Sequence, residues 1–190
     1  MLVLASSSTY RRSLLERLGQ PFIWDAPDLD ETELPGETPR ALVARLAEEK
    51  ARVVAARHPS ALIIGSDQVS VRDGQIIGKP HTHERAIAQL TAASGKRIEF
   101  LTGLCLLNAA TGRCQVMIEP FSVVFRSLTP AAIERYLRAD TPYDCAGSFK
   151  LEGRGITLFE RLDGRDPNAL IGLPLIALVD LLAAEGVAVP

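Results

Sequence analysis

At 190 residues the chain is long enough for one domain, or a tightly joined pair, with a sizeable core. Hydrophobic residues at 47% and charged residues at 23% are the usual soluble balance and exclude a disordered segment or a coiled coil. With 21 basic against 23 acidic side chains and a formal charge of −2, there is no broad footprint for DNA or RNA, so any polyanion must meet a local basic cluster.

Residues 2–5 are apolar but break at once into Ser6-Ser7-Ser8, far short of a secretory signal or a membrane span, and read as a first strand. Thr9 then opens a helix over 9–18 with Leu14, Leu15 and Leu18 on one stripe. At about 100° per residue Arg11 projects into the middle of that stripe and Arg12 to its side. Strand, hydroxyl-rich turn and helix start together present free backbone N–H groups where a phosphate could sit, with Arg11 able to grip it in a fork. A plain N-cap with two solvated arginines is the alternative.

A short strand at 21–24 is followed by Asp28-Leu29-Asp30-Glu31-Thr32-Glu33, which is either a solvated acidic loop or a source of oxygen ligands for magnesium. Over 39–57 a helical pattern puts Leu42, Val43, Leu46, Val53 and Val54 on one face. Lys50 falls in its middle and Glu48 points away. A lysine there either snorkels or meets an anion in a cleft.

The run 61–65 is continuously apolar, as in a strand buried on both faces, and it ends in Gly65-Ser66-Asp67-Gln68. Ligands bind at the carboxyl ends of such strands. Asp73-Gly74 between apolar neighbours predicts a two-residue hairpin that leads into 75–77 and returns Gly78-Lys79-Pro80 towards Asp67. Strict register would put Lys79 on the face of Gln68, so proximity alone is predicted. A helix over 83–93 comes next. Strands at 98–107 and 114–125, joined through Ala110-Thr111-Gly112, a helix over 129–139, a strand at 155–162 and a helix over 173–185 complete the chain. The alternation predicts an α/β protein with a mixed sheet. Cys145-Ala146-Gly147-Ser148-Phe149-Lys150-Leu151-Glu152-Gly153-Arg154-Gly155 is glycine-dense enough for a ligand to approach its backbone, or is a loop before a strand.

Several familiar sites are excluded. Gly74 to Pro80 has one residue too few between its glycines for a P-loop, and proline where Ser or Thr would hold magnesium. His81-Thr82-His83 lacks companions at zinc spacing. Neither a nucleophile elbow nor a dinucleotide fingerprint occurs. Cys105, Cys114 and Cys145 form no C-x-x-C pair and suit a reducing cytoplasm, with buried, inert thiols expected.

Taken in order, Leu4-Ala5-Ser6-Ser7-Ser8 with Arg11, Asp30-Glu31-Thr32, Leu46-Ala47 with Lys50-Ala51, Ile64-Gly65-Ser66-Asp67, Gly78-Lys79-Pro80, Cys145-Ala146-Gly147 and Gly172-Leu173-Pro174 resemble the Maf family of nucleoside triphosphate pyrophosphatases. The resemblance covers essentially all of 1–190 as a single Maf-like domain. It implies a mixed sheet flanked by helices, in two lobes around a cleft, as in the inosine triphosphate pyrophosphatases. It also implies a divalent metal, Mg or Mn, and hydrolysis of a nucleoside triphosphate to monophosphate and diphosphate. Carried over by position, Ser6, Arg11, Lys50 and Lys79 would hold phosphates, Glu31 and Asp67 would serve the metal, and Asp67 would accept a proton. The catalytic set is then Asp67, Lys50, Lys79 and Glu31.

The family usually has proline where this chain has Thr9. Gln68 and the segment Ser148 to Gly153 resemble the branch acting on 7-methylguanosine triphosphate, which usually carries tryptophan in place of Tyr10. N7-methylation gives guanine a positive charge, so Tyr10 stacking, Gln68 and Glu152 are the expected specificity residues. A small-molecule nucleotide is the implied partner, without nucleic acid or membrane, and a homodimer is compatible with the resemblance. The competing readings are the thymidine and uridine triphosphate branch of the same family, and a noncatalytic nucleotide-binding regulator of septum formation.

Overall fold

Leu2 to Ala5 forms β1 (Leu2–Ala5), buried at every position because it is covered on both faces. Leu2 and Leu4 face one cluster with Leu14, Leu15 and Leu178, while Val3 and Ala5 face another with Ala47, Ala51 and Val54. The structure, a computed structural model, describes residues 1–189. After β1 come α1 (Thr9–Glu16), β2 (Phe22–Trp24), α2 (Pro39–Ala55), β3 (Leu62–Arg72), β4 (Gln75–Ile77), α3 (His83–Ala93), β5 (Arg97–Asn108), β6 (Cys114–Phe125), α4 (Pro130–Asp140), β7 (Phe159–Gly164), α5 (Pro167–Ile171) and α6 (Leu175–Ala184).

The sheet order is β2-β1-β3-β5-β6-β7, with β4 also on β3. β1 is parallel to β2 and to β3, and the other pairings are antiparallel, giving the expected mixed sheet. Long β3, β5 and β6 run through both ends of the molecule. At one end β1, α1, α2 and α6 cover them. At the other, α3, α4 and β7 enclose a phenylalanine cluster in which Phe149 meets Phe100, Phe125 and Phe159 edge-on at centroid distances of 4.8–6.0 Å.

Two boundaries differ from the sequence reading. β3 does not stop at Gly65 but continues through Asp67 to Arg72, because Ser66 to Val71 pair in unbroken register with Leu104 to Glu99 of β5. Residues 154–158 form a 3₁₀ turn, and β7 starts at Phe159. The predicted hairpin is present: Arg72 pairs with Gln75, and Asp73 and Gly74 take φ of 52° and 76°, as a two-residue turn of this twist requires.

On its other edge β3 is interrupted. β1 leaves it at the Ala5–Gly65 pair, and β4 joins only at Ser70–Ile77. Ser66 to Val69 therefore have a strand on one side and open space on the other, where the cleft lies.

Candidate active site

The cleft is about 560 Å³, and its walls include the turn after β1, the exit of β4, one face of α2 and the 144–152 segment. Period-two alternation along β3 decides which side chains reach which layer. Ile63, Gly65, Asp67 and Val69 face α2; Ser66 and Gln68 face the α5 side.

Gly65 and Gly103 set the depth of α2. A Cβ on Gly65 would lie 2.0 Å from the Ala47 carbonyl oxygen, and one on Gly103 would lie 2.0 Å from that of Val43. With the helix backbone seated on the sheet, Lys50, one turn beyond Ala47, arrives over Asp67. Its Nζ donates to Asp67 Oδ1 at 2.6 Å and reaches Glu31 Oε1 at 2.9 Å. Lys50 and Asp67 are both buried, at 5% and 7% exposure, whereas Glu31 is exposed. The acidic loop is therefore fastened to the cleft at Glu31. Behind it, Arg45 grips Glu37 through two bonds of 2.7 Å and also donates to the Thr32 carbonyl.

At the turn after β1 the buried Ser6 hydroxyl accepts from the Ser8 N–H at 3.1 Å. Ser8 caps α1 by accepting from the Arg11 N–H. Arg11 crosses to α5, where its Nε donates to the Gly172 carbonyl at 2.8 Å, leaving the guanidinium fork for the cleft. Burial pulls the Arg11 guanidinium below its ordinary value, and the carboxylates of Asp67 and Glu31 oppose that shift. Arg12 instead lies over the Trp24 ring at 4.6 Å, outside the cleft.

Lys79 lines the same cleft. β4 ends at Ile77, so Lys79 is free of the strand register that would have placed it on the face of Gln68. Its segment is tied down by Gln89 donating to the Gly78 carbonyl and by the His81 N–H donating to the Tyr143 carbonyl, each at 3.0 Å.

Tyr10, Gln68 and Glu152 all line the cleft. Gln68 has its amide nitrogen turned away from it, donating to Thr102 Oγ1 and to the Ala169 and Leu170 carbonyls at 2.6–3.1 Å. It therefore shapes the wall by holding α5. The glycines of 145–155 serve packing, not ligand approach: a Cβ on Gly147 would meet Phe100 at 2.8 Å, and one on Gly155 would meet the Lys150 carbonyl at 2.3 Å.

Sequence reasoning did not single out Asp144, Ser66 or Thr102. Asp144 lines the cleft and accepts from the Tyr10 hydroxyl at 3.3 Å. Its one available signal is its place beside Cys145 in the resembling segment. Ser66 reaches the Gly172 carbonyl at 2.9 Å and Thr102 donates to the Ala169 carbonyl at 2.9 Å. Both bonds depend on α5, a five-residue helix too short to leave a periodic pattern. The three cysteines are free, and burial, then Asp144, pushes the Cys145 thiol up to about 12. Among the described residues no group of three or more His, Cys, Asp or Glu gathers around a metal position, and no helix is long and apolar enough to cross a membrane.

The Maf-like protein family model matches residues 1–185. A protein of Pseudomonas syringae pv. tomato named 7-methyl-GTP pyrophosphatase is 64% identical over 189 residues, which is 100% of this chain and 98% of that protein. Proteins of the same name from Alcanivorax borkumensis and Nitrosococcus oceani are each 60% identical, covering 100% and 97% of this chain and 96% and 93% of their own. The solved structure of the Staphylococcus aureus Ham1 protein superposes with a TM-score of 0.50 at 15% identity, over 97% of this chain and 98% of that one, a likeness of fold alone.

Proposed function

The chain belongs to the Maf family, and from that membership we propose that it hydrolyses 7-methyl-GTP to 7-methyl-GMP and diphosphate. The observation that carries the reading is Asp67, buried in the gap between β1 and β4 and held by Lys50 in a cleft shared with Arg11 and Lys79. The names borne by relatives at 60–64% identity supply the base.

Attack of water at the α-phosphorus spreads negative charge over the nonbridging oxygens and the departing diphosphate. Ser6, the N-terminal end of α1 and Arg11 take phosphate oxygens from one side, and Lys50 and Lys79 from the other. Asp67 accepts the proton of the attacking water. Lys50 holds its Oδ1, which fixes the carboxylate and leaves Oδ2 for that water. At the far end Tyr10 stacks on the charged base and Glu152 accepts from the guanine edge.

Asp67 and Glu31 both lie against one ammonium, so two hard oxygen donors already converge on a single positive charge. Magnesium takes one or two carboxylates and completes its shell with phosphate and water, and this donor set fits it or manganese. When bound, the ion supplies countercharge to the phosphates. Three free thiols without a C-x-x-C pair suit the cytoplasm.

Diphosphate release by purified protein from 7-methyl-GTP, GTP, dTTP and UTP in parallel tests the reading. The methylated nucleotide is expected to be cleaved fastest, and Asp67→Asn to lose about 10²–10⁴-fold in kcat. Faster cleavage of dTTP or UTP moves the chain to the other branch. Unchanged turnover in Asp67→Asn removes the mechanism, and no turnover in wild type leaves a nucleotide-binding regulator.

A further inference from the structure

The cleft carries charges of both signs around the phosphate groups and a second mixed group at Tyr10. Arg11 shares its surroundings with Asp67 and Glu31, beside Lys50. Beside Tyr10 lies the exposed carboxylate of Asp144, and the exposed Glu152 lines the same cleft.

Asp144 is joined to the ring that would carry the base. Its Oδ2 accepts from the Tyr10 hydroxyl, and its Oδ1 accepts from the Cys145 thiol at 3.4 Å. One ammonium also enters this group. Lys150 Nζ lies 5.8 Å from the centroid of the Tyr10 ring and 3.9 Å from Asp144 Oδ1. Its backbone is firmly placed, with its N–H donating to the Tyr136 hydroxyl at 2.9 Å and its carbonyl accepting from the Gly153 and Gly155 N–H groups. A ring face and a carboxylate are the two features that attract an organic cation, and here the protein's own ammonium engages both.

We propose that Asp144 and Lys150 set the base selectivity of the cleft in opposite senses, Asp144 attracting a positively charged purine to the face of Tyr10 and Lys150 repelling it. The inference rests on the 7-methyl-GTP reading and extends it to two residues outside the phosphate machinery. Neutral guanine keeps its stacking but has no net charge for either residue to act on. Lys150, tethered by its fixed backbone, stays within a side chain's length of the base and lowers the preference that Asp144 creates.

The readout is the ratio of kcat/KM for 7-methyl-GTP to that for GTP, measured in wild type, Asp144→Asn, Asp144→Glu, Lys150→Met and Lys150→Arg. Loss of one charge at these distances in a solvated cleft is expected to move the ratio by about three- to tenfold. Asp144→Asn should lower it, and Lys150→Met should raise it. Asp144→Glu and Lys150→Arg, which keep the charges, should stay within about twofold of wild type on the same reasoning. A wild type with no preference for the methylated nucleotide overturns the base reading itself. A wild-type preference that persists unchanged in Asp144→Asn overturns the role of Asp144 alone. A ratio that falls in Lys150→Met makes the lysine a prop for Tyr10 and overturns its role as a repelling charge.

Discussion

The Lys50–Asp67 pair is deeply buried yet opens on the cleft, which determines how each half responds to mutation. Removing Lys50 leaves a carboxylate with its Oδ1 partner gone and most of its surface still covered. A fully buried pair loses about 3–5 kcal/mol when one partner is cut away. Because this pair borders solvent, Lys50→Met should cost less, about 1–3 kcal/mol after screening. Asp67→Asn keeps an acceptor for the ammonium and should cost less still while abolishing turnover. In Lys50→Met/Asp67→Leu, which removes both charges, stability should recover without activity. Chemical denaturation and kcat measured on the three variants check this, and a double variant less stable than Lys50→Met would refute the pairing argument. Lys50 and Asp67 were legible in the sequence, because a lysine on an apolar helical face and an acid after an apolar strand both break the local pattern. Asp144 breaks no pattern, since an aspartate in a Thr-Pro-Tyr-Asp turn is unexceptional. Only its contact with Tyr10, 134 residues away, gives it meaning.

Between residues and the whole lies the seating of α2 on the sheet. Gly65→Ala would bring a methyl group to 2.0 Å from the Ala47 carbonyl oxygen, and the helix must lift or tilt to relieve it. Such overpacking costs about 1–3 kcal/mol, and because Lys50 is the next turn of the same helix, kcat should fall at least about tenfold. Gly74→Ala, in the hairpin turn where nothing lies within 4 Å, strains only the backbone. It should lower Tm with a much smaller effect on kcat. The loop that carries Glu31 is held by a different element contact. Arg45 holds the Glu37 carboxyl down to about 2, against burial and with help from the Leu34 N–H. A carboxyl depressed on folding stabilises above its unfolded value of about 4.3 and loses that contribution as pH falls towards its folded one. The Tm gap between wild type and Glu37→Gln should thus be constant above about pH 5 and close between about pH 4 and pH 2. A gap independent of pH would show that the glutamate acts by shape alone. Strands, the Asp73-Gly74 hairpin and the long helices were legible because period and turn chemistry are local. The run of β3 through Asp67 was not, because a Gly-Ser-Asp-Gln string looks like a strand end until β5 is known to pair with all of it.

At the scale of the whole molecule the fold gathers charges of both signs into one cleft. The cleft-lining cations Arg11, Lys50 and Lys79 are matched by Asp67, Glu31 and Glu33, three against three, so these groups offer no net positive charge with which to meet a triphosphate. An anion carrying several charges settles into an electrically balanced cleft more readily when another cation comes with it. The proposed divalent ion would supply that charge, with Glu31 near the solvent side and Asp67 at the buried side of Lys50. Chelation should abolish turnover, and added magnesium or manganese should restore it. Glu31→Gln should raise the metal concentration for half-maximal rate severalfold with little change in the folded state, since Glu31 is more than half exposed. Asp67→Asn should instead remain inactive at every metal concentration, because a missing proton acceptor is not replaced by mass action. Full activity in chelator would mean that the cations of the cleft meet the triphosphate unaided, and that Glu31 serves only to orient Lys50.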